Sequence, residues 1–242
     1  ALKLLYGERD NDGYAVVPSA TPQNPLMRKY NQADRRRNLA EVRADWAATE
    51  GMSFGFNFDV TDDDYTDSVV GLTGARSSSG GVDFSAALSD ETHLRVYFQS
   101  ELVKSSMANS QQFGQPDWTG KTQDEFDTLG LGVTHLAMKG KLELGGDFMS
   151  SRSRSKATIF LGSFGTPFPA AKTSLESLTL NAKWHQSAKL TLLGSLAFEH
   201  YDSSDWHVDG VAPGTVANLL AFGEQAPHYN VGVIRFAVRY NF

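Results

Sequence analysis

Cysteine is absent from the 242 residues, so no disulfide, thiolate metal site or Cys-x-x-Cys-His haem attachment exists within the chain. No run of about 18 apolar residues occurs, which excludes a transmembrane helix. That exclusion does not reach a β-barrel, whose strands need apolar residues only at alternate positions and therefore look hydrophilic on average. The net charge is -6, with no excess of lysine and arginine, so there is no electrostatic footprint for nucleic acid. A charged n-region followed by an apolar core is missing from the first residues, and Ala1–Tyr6 already reads as strand. A glycine-rich phosphate loop, a serine nucleophile elbow and zinc-ligand spacing are all lacking.

What the chain does have is long alternation. Tyr229 to Phe242 places Gly232, Ile234, Phe236, Val238, Tyr240 and Phe242 on one face, and Val233, Arg235, Ala237, Arg239 and Asn241 on the other. A globular strand is typically about 5 to 6 residues, whereas a tilted strand needs roughly 9 to 11 to cross a bilayer. Phe236, Val238, Tyr240 and Phe242 form an apolar, aromatic C-terminal pattern of the kind that ends bacterial outer-membrane barrels and directs their assembly. The same alternation recurs upstream. Phe54, Phe56 and Phe58 oppose Gly55, Asn57 and Asp59, and Leu178, Leu180 and Trp184 oppose Thr179, Asn181 and Lys183. About ten strands are expected, joined alternately by short turns near residues 50, 90, 139 and 187 and by long polar loops. That rhythm predicts an all-β fold: a transmembrane antiparallel barrel of outer-membrane type over residues 1–242, with tight periplasmic turns and long outer loops. A long-stranded soluble sandwich is the competing expectation.

Three clusters could carry chemistry. Asp62-Asp63-Asp64-Tyr65 could offer carboxylate oxygens to calcium but lacks the glycine and distal glutamate of an EF-hand, so a solvated strand end is the plainer reading. Asp202, Asp205, His207 and Asp209 beside Trp206 could activate water, though a polar outer loop with an interfacial tryptophan is the plainer reading. The third set is expected to face the lumen: Arg95, Gln99, Glu101, Lys183, His185, Glu199, Arg235 and Arg239. In a small closed barrel these residues would pair and fill the interior, whereas in a large one they would line a pore or contact an occupant.

The run Ala33-Asp34-Arg35-Arg36-Arg37, the stretch Asp62-Asp63-Asp64-Tyr65, the pair Asp205-Trp206 and the closing Tyr229-Asn230-Val231 with Phe242 resemble the MtrB/PioB family of outer-membrane barrels. The resemblance implies a sheath of more than twenty strands around a periplasmic decahaem c-type cytochrome, often with an extracellular multihaem cytochrome docked outside. It implies haem in the partner and none on this chain, no catalytic residues, and the eight lumen-facing residues as candidates for cytochrome contact. Ten strands alone are too few to house such a guest, so the chain is expected to be the C-terminal arc of a larger barrel. A self-contained omptin-like protease and a small solute channel are the alternative functions.

Overall fold

The computed structural model describes residues 1–13, 23–207, 210–212, 214, 215 and 226–242. Every regular element is a strand: β1 (Leu2–Arg9), β2 (Met27–Arg28), β3 (Arg35–Thr49), β4 (Met52–Asp64), β5 (Val70–Ser89), β6 (Thr92–Asn109), β7 (Trp118–Ala137), β8 (Leu142–Leu161), β9 (Phe164–Pro167), β10 (Ala171–His185), β11 (Leu190–Ser204) and β12 (Tyr229–Tyr240). Ten of them form one unbroken ladder in chain order, β1-β3-β4-β5-β6-β7-β8-β10-β11-β12, with β2 and β9 attached to β5 and β8. The ten strands expected from the alternation are these ten. Each ladder pair is antiparallel, as a chain of hairpins must be.

Register carries the alternation across the whole sheet. Trp46 pairs with Phe54, Phe54 with Phe84, Phe84 with Val96, Val96 with Leu131, Leu131 with Phe148, Phe148 with Leu178 and Leu178 with Phe198. One continuous apolar row results. The rings of Trp46 and Phe54 stack at 5.5 Å, and those of Phe54 and Phe84 lie 4.9 Å apart. Cross-strand aromatic contacts of this kind are worth about 0.5–1.5 kcal/mol each. Trp46, Trp184 and Tyr240 all stand close to the short-turn ends of their strands, where an interfacial aromatic girdle belongs.

Among the described residues no second layer covers this face, and each strand contacts only its ladder neighbours. The buried apolar residues are Ala33, Tyr65, Val70, Ala86 and Ala108, whereas Phe236, Val238 and Leu4 are 85%, 70% and 72% exposed. A soluble sandwich would bury its apolar rows against an opposing sheet about 10 Å away. This sheet presents its apolar face outward, which water would oppose and hydrocarbon favours.

The strands run further than the alternation suggested. β5 starts at Val70 rather than near Val82, β6 continues to Asn109, and β7 begins at Trp118. The polar stretch around Pro116-Asp117-Trp118, which belongs to one of the expected long polar loops, gives way to strand on both sides, and only residues 110–117 leave the ladder. Likewise Asp62, Asp63 and Asp64 belong to β4, and the connection that follows is residues 65–69. Beyond the apolar rows both faces are wet, so period-two hydrophobicity vanishes although the hydrogen-bond ladder continues. A 20-residue strand is about 66 Å long. Tilted at about 45°, it rises about 47 Å, and an apolar band about 25 Å tall leaves roughly 20 Å standing in water.

At the apolar end every connection is short, at residues 50–51, 90–91, 138–141 and 186–189, while at the opposite end a two-residue turn, 162–163, leads from β8 into β9 where a long loop was expected. At the β7–β8 turn, Met138, Lys139 and Gly140 have φ of 53°, 57° and 81°. Gly140 fits there because it alone of the three adopts that conformation without a Cβ penalty. At the other end, Asp63 accepts a bidentate pair from Arg37, with 2.6 Å to Nε, and lies 3.8 Å from Arg35 Nε. Asp34 N–H donates to Asp67 at 2.9 Å and Asn24 reaches Gly114 O at 3.0 Å, so residues 23–34 are tied down over this end of the sheet.

Candidate functional site

All eight residues expected to face the lumen lie on the face opposite the aromatic rows. The pairing fixes this: Arg95 is level with Gly132 and Asp147, Lys183 with Glu143, and Arg235 and Arg239 with Ser195 and Thr191. They do not converge on one spot. Arg95, Gln99 and Glu101 sit on β6, while Lys183 and His185 are on β10, Glu199 on β11, and Arg235 and Arg239 on β12. Five strand spacings separate β6 from β12, roughly 24 Å along a flattened sheet. The arrangement is a wall.

Some of its charges have partners within the wall. Lys183 Nζ donates to Glu143 Oε2 at 3.3 Å, and Arg95 Nη2 lies 3.6 Å from Asp147 Oδ1. His185 shares a hydrogen bond with Thr191 at 3.2 Å, and Tyr229 donates its hydroxyl to Glu199 at 2.7 Å. Glu143, Asn181, Lys183, Ser195 and Arg235 line a shallow groove of about 410 Å³. These are half-exposed groups, so each ion pair is worth under about 1 kcal/mol.

The glycines decide the relief of this wall. Arg95 reaches Asp147 only because Gly132 stands between them in the register, and a Cβ there would meet Asp147 Oδ1 at 2.9 Å. The Tyr97 ring lies across Gly130, the Gln99 amide across Gly81, the Asp83 carboxylate across Gly55 and the Asn181 amide across Gly145. Each polar side chain folds sideways onto a neighbouring strand instead of standing upright. A sheet interior loses packing at every glycine. Five of them in such positions give instead a low, hydrated surface studded with donors and acceptors.

Of the other two clusters, one comes apart and the other stays together in part. Asp62 and Asp64 point to one face and Asp63, held by Arg37, to the other, so the three carboxylates cannot share a calcium ion. Among the described residues no group of three or more His, Cys, Asp or Glu is placed to hold a metal. In the last connection Asp205 and His207 are in contact at 2.5 Å, and the indole of Trp206 lies between His207 and Phe168, 3.8 Å and 4.6 Å away. The His207 N–H, donating at 3.0 Å, holds the Asp205 carboxyl below its ordinary range. Asp202 stands on β11 away from that pair, and Asp209 lies outside the described residues.

Phe236, Val238 and Tyr240 continue the apolar face along β12, and Phe242 follows just beyond the strand, its ring edge-on to Tyr240 at 5.2 Å.

An antiparallel meander with an uncovered aromatic face, girdle residues at its tight turns and a polar opposite face defines an outer-membrane β-barrel protein. Solved structures agree at the level of fold. The copper transporter OprC superposes with a TM-score of 0.61 at 15% identity, over 86% of this chain and 34% of that one. The ferric-catecholate import receptor Fiu from E. coli K12 gives 0.55 at 9% identity, over 98% and 46%. The family model described as "Putative outer membrane beta-barrel porin, MtrB/PioB" matches residues 1–242, and the chain belongs to that family. Outer membrane protein MtrB of Shewanella baltica (strain OS185) is 28% identical over 99% of this chain. The chain spans about a third, 34%, of that relative's length. It resides in the outer membrane.

Proposed function

We propose that this chain forms one arc of a larger barrel that encloses a multihaem c-type cytochrome and insulates its electron path across the outer membrane. The observation that carries the reading is the polar wall itself. Arg95, Tyr97, Gln99, Asp83 and Asn181 lie down over glycines, leaving the lumen clear instead of filling it as a narrow self-sealed barrel would. The outer edges of β1 and β12 carry no ladder partner among the described residues. An open edge in hydrocarbon leaves N–H and C=O groups unpaired, at several kcal/mol each, so further strands must complete the ring. More strands widen the lumen enough to take a folded guest.

In this reading the chain contributes no redox chemistry. It keeps lipid and water away from the guest, and its mixed charges meet a polar protein surface without a strong field of either sign. Haem belongs to the guest, and Arg95, Gln99, Glu101, Lys183, His185, Glu199, Arg235 and Arg239 are the contact candidates. Phe236, Val238, Tyr240 and Phe242 serve as the barrel-assembly pattern. An extracellular multihaem cytochrome would dock at the end where the strands stand clear of the membrane.

The test is copurification of the full-length barrel from its native membrane. Stoichiometric haem absorbance that stays with the barrel in detergent supports the sheath. A haem-free barrel that conducts ions in a planar bilayer would contradict it and favour the porin reading that the family description carries.

A further inference from the structure

The lipid-facing side holds a second feature, independent of what fills the lumen. Just above the last apolar row, β8 projects Arg152 and Arg154 outward, and β10 projects Lys172 beside them. Register places Lys172 directly opposite Arg154. Like charges facing each other across two strands are destabilising. Relief within the sheet is partial: register sets Glu125 opposite Arg154 and Asp127 opposite Arg152, but Arg152, Arg154 and Lys172 close no ion pair among the described residues, and Glu125 is shared with Lys156 at 3.7 Å. Asp127 and Asp202 flank the site without closing on it. The residues border an outward groove of about 420 Å³ whose lining also holds serines, Thr173 and the carboxylates Glu125, Asp127 and Asp202.

Height identifies the ligand. Arg152 lies four residues beyond Phe148, about 13 Å along the strand and about 9 Å in elevation at a tilt near 45°. That is the level of lipid headgroups, and long cationic side chains bend readily toward them. The short turns mark the periplasmic side, so this rim meets the outer leaflet, which in an outer membrane is built from phosphorylated glycolipid. We propose that Arg152, Arg154 and Lys172 form a binding site for the phosphate of an outer-leaflet glycolipid, a phosphate seated between Arg154 and Lys172 relieving their repulsion. Arginine supplies planar, bidentate phosphate contacts, and lysine a point charge.

The experiment uses the full-length barrel in non-ionic detergent, titrated with bisphosphorylated lipid A, with the same lipid stripped of phosphate, and with inorganic phosphate. Expected is saturable binding of the bisphosphorylated lipid, at least tenfold weaker in R152Q/R154Q/K172Q and at least tenfold weaker for the stripped lipid. Heat-modifiable gel mobility reports folding of each variant. Should the triple variant fail to fold, K172Q alone, which removes a repulsion and so spares the ladder, is expected to weaken binding at least threefold. Equal binding by the folded variants, equal binding of stripped lipid, or inorganic phosphate binding as tightly as the lipid would each overturn the proposal.

Discussion

Replacing Gly81, Gly130 and Gly132 by leucine should leave the barrel folded and expel its guest. The three flank β6, and each is the floor on which an inward side chain rests: Gln99 on Gly81, Tyr97 on Gly130, and Arg95 with Asp147 over Gly132. The colliding atoms are the far ends of partly exposed side chains, which can swing into the lumen. Strand glycines cost roughly 0.5–1 kcal/mol each relative to alanine, and the exposed Arg95–Asp147 pair is worth under about 1, so the losses and gains in the sheet nearly cancel. The displaced side chains would rise about 3.5–4 Å, one van der Waals contact distance, from the wall. Overpacking a close interface costs about 1–3 kcal/mol per site, so three sites should weaken the guest's binding by at least about 3 kcal/mol, roughly a hundredfold. The assay is haem absorbance per folded barrel after detergent purification, beside heat-modifiable mobility. Undiminished haem in the folded triple variant would refute a wall shaped by glycine for a protein guest.

Asp63→Asn should destabilise the outer end of the sheet by about 2 kcal/mol in denaturant unfolding, since it leaves Arg37 and the half-buried Arg35 without their carboxylate. Phe56→Arg, on the lipid side, should cost about 2–4 kcal/mol of folding into vesicles, whereas Asn57→Arg on the lumen side should cost almost nothing. Lys183→Met should shift stability by less than about 1 kcal/mol, because its partner Glu143 stays solvated when left alone.

The ladder was legible because a lipid-facing barrel wall writes its apolar residues at every second position. Phe54, Phe56 and Phe58 or Ile234, Phe236 and Val238 could be read without knowing their neighbours. The same reasoning truncated β5, β6, β7 and β8, since outside the bilayer Ser77, Ser79 or Arg152, Ser153 and Arg154 alternate nothing that hydropathy detects. A long Ser/Thr-rich run without proline, such as residues 149–158, was the available signal for strand. Parity alone put the eight candidate residues together on the face opposite the aromatic rows, but their neighbours depend on register. Gly132 becomes meaningful only once Arg95 and Asp147 are known to flank it. The Arg154–Lys172 opposition is hidden for the same reason: 18 positions apart in sequence, the two become adjacent only through the β8–β10 pairing. Asp62, Asp63 and Asp64 looked like one cluster, and strand geometry divides them between two faces.

The absence of cysteine from these 242 residues means that a cysteine placed at any wall position has no competitor within this arc. Single cysteines at Phe56, Leu180 and Phe236, and at Asn57, Asn181 and Arg235, would each carry a fluorescent label in the full-length barrel reconstituted with brominated lipid. Strong quenching is expected for the first three and little for the second three, with the lumenal labels regaining exposure to aqueous quenchers once the guest is removed. Equal lipid quenching at both sets would contradict a wall with hydrocarbon on one side and an enclosed protein on the other.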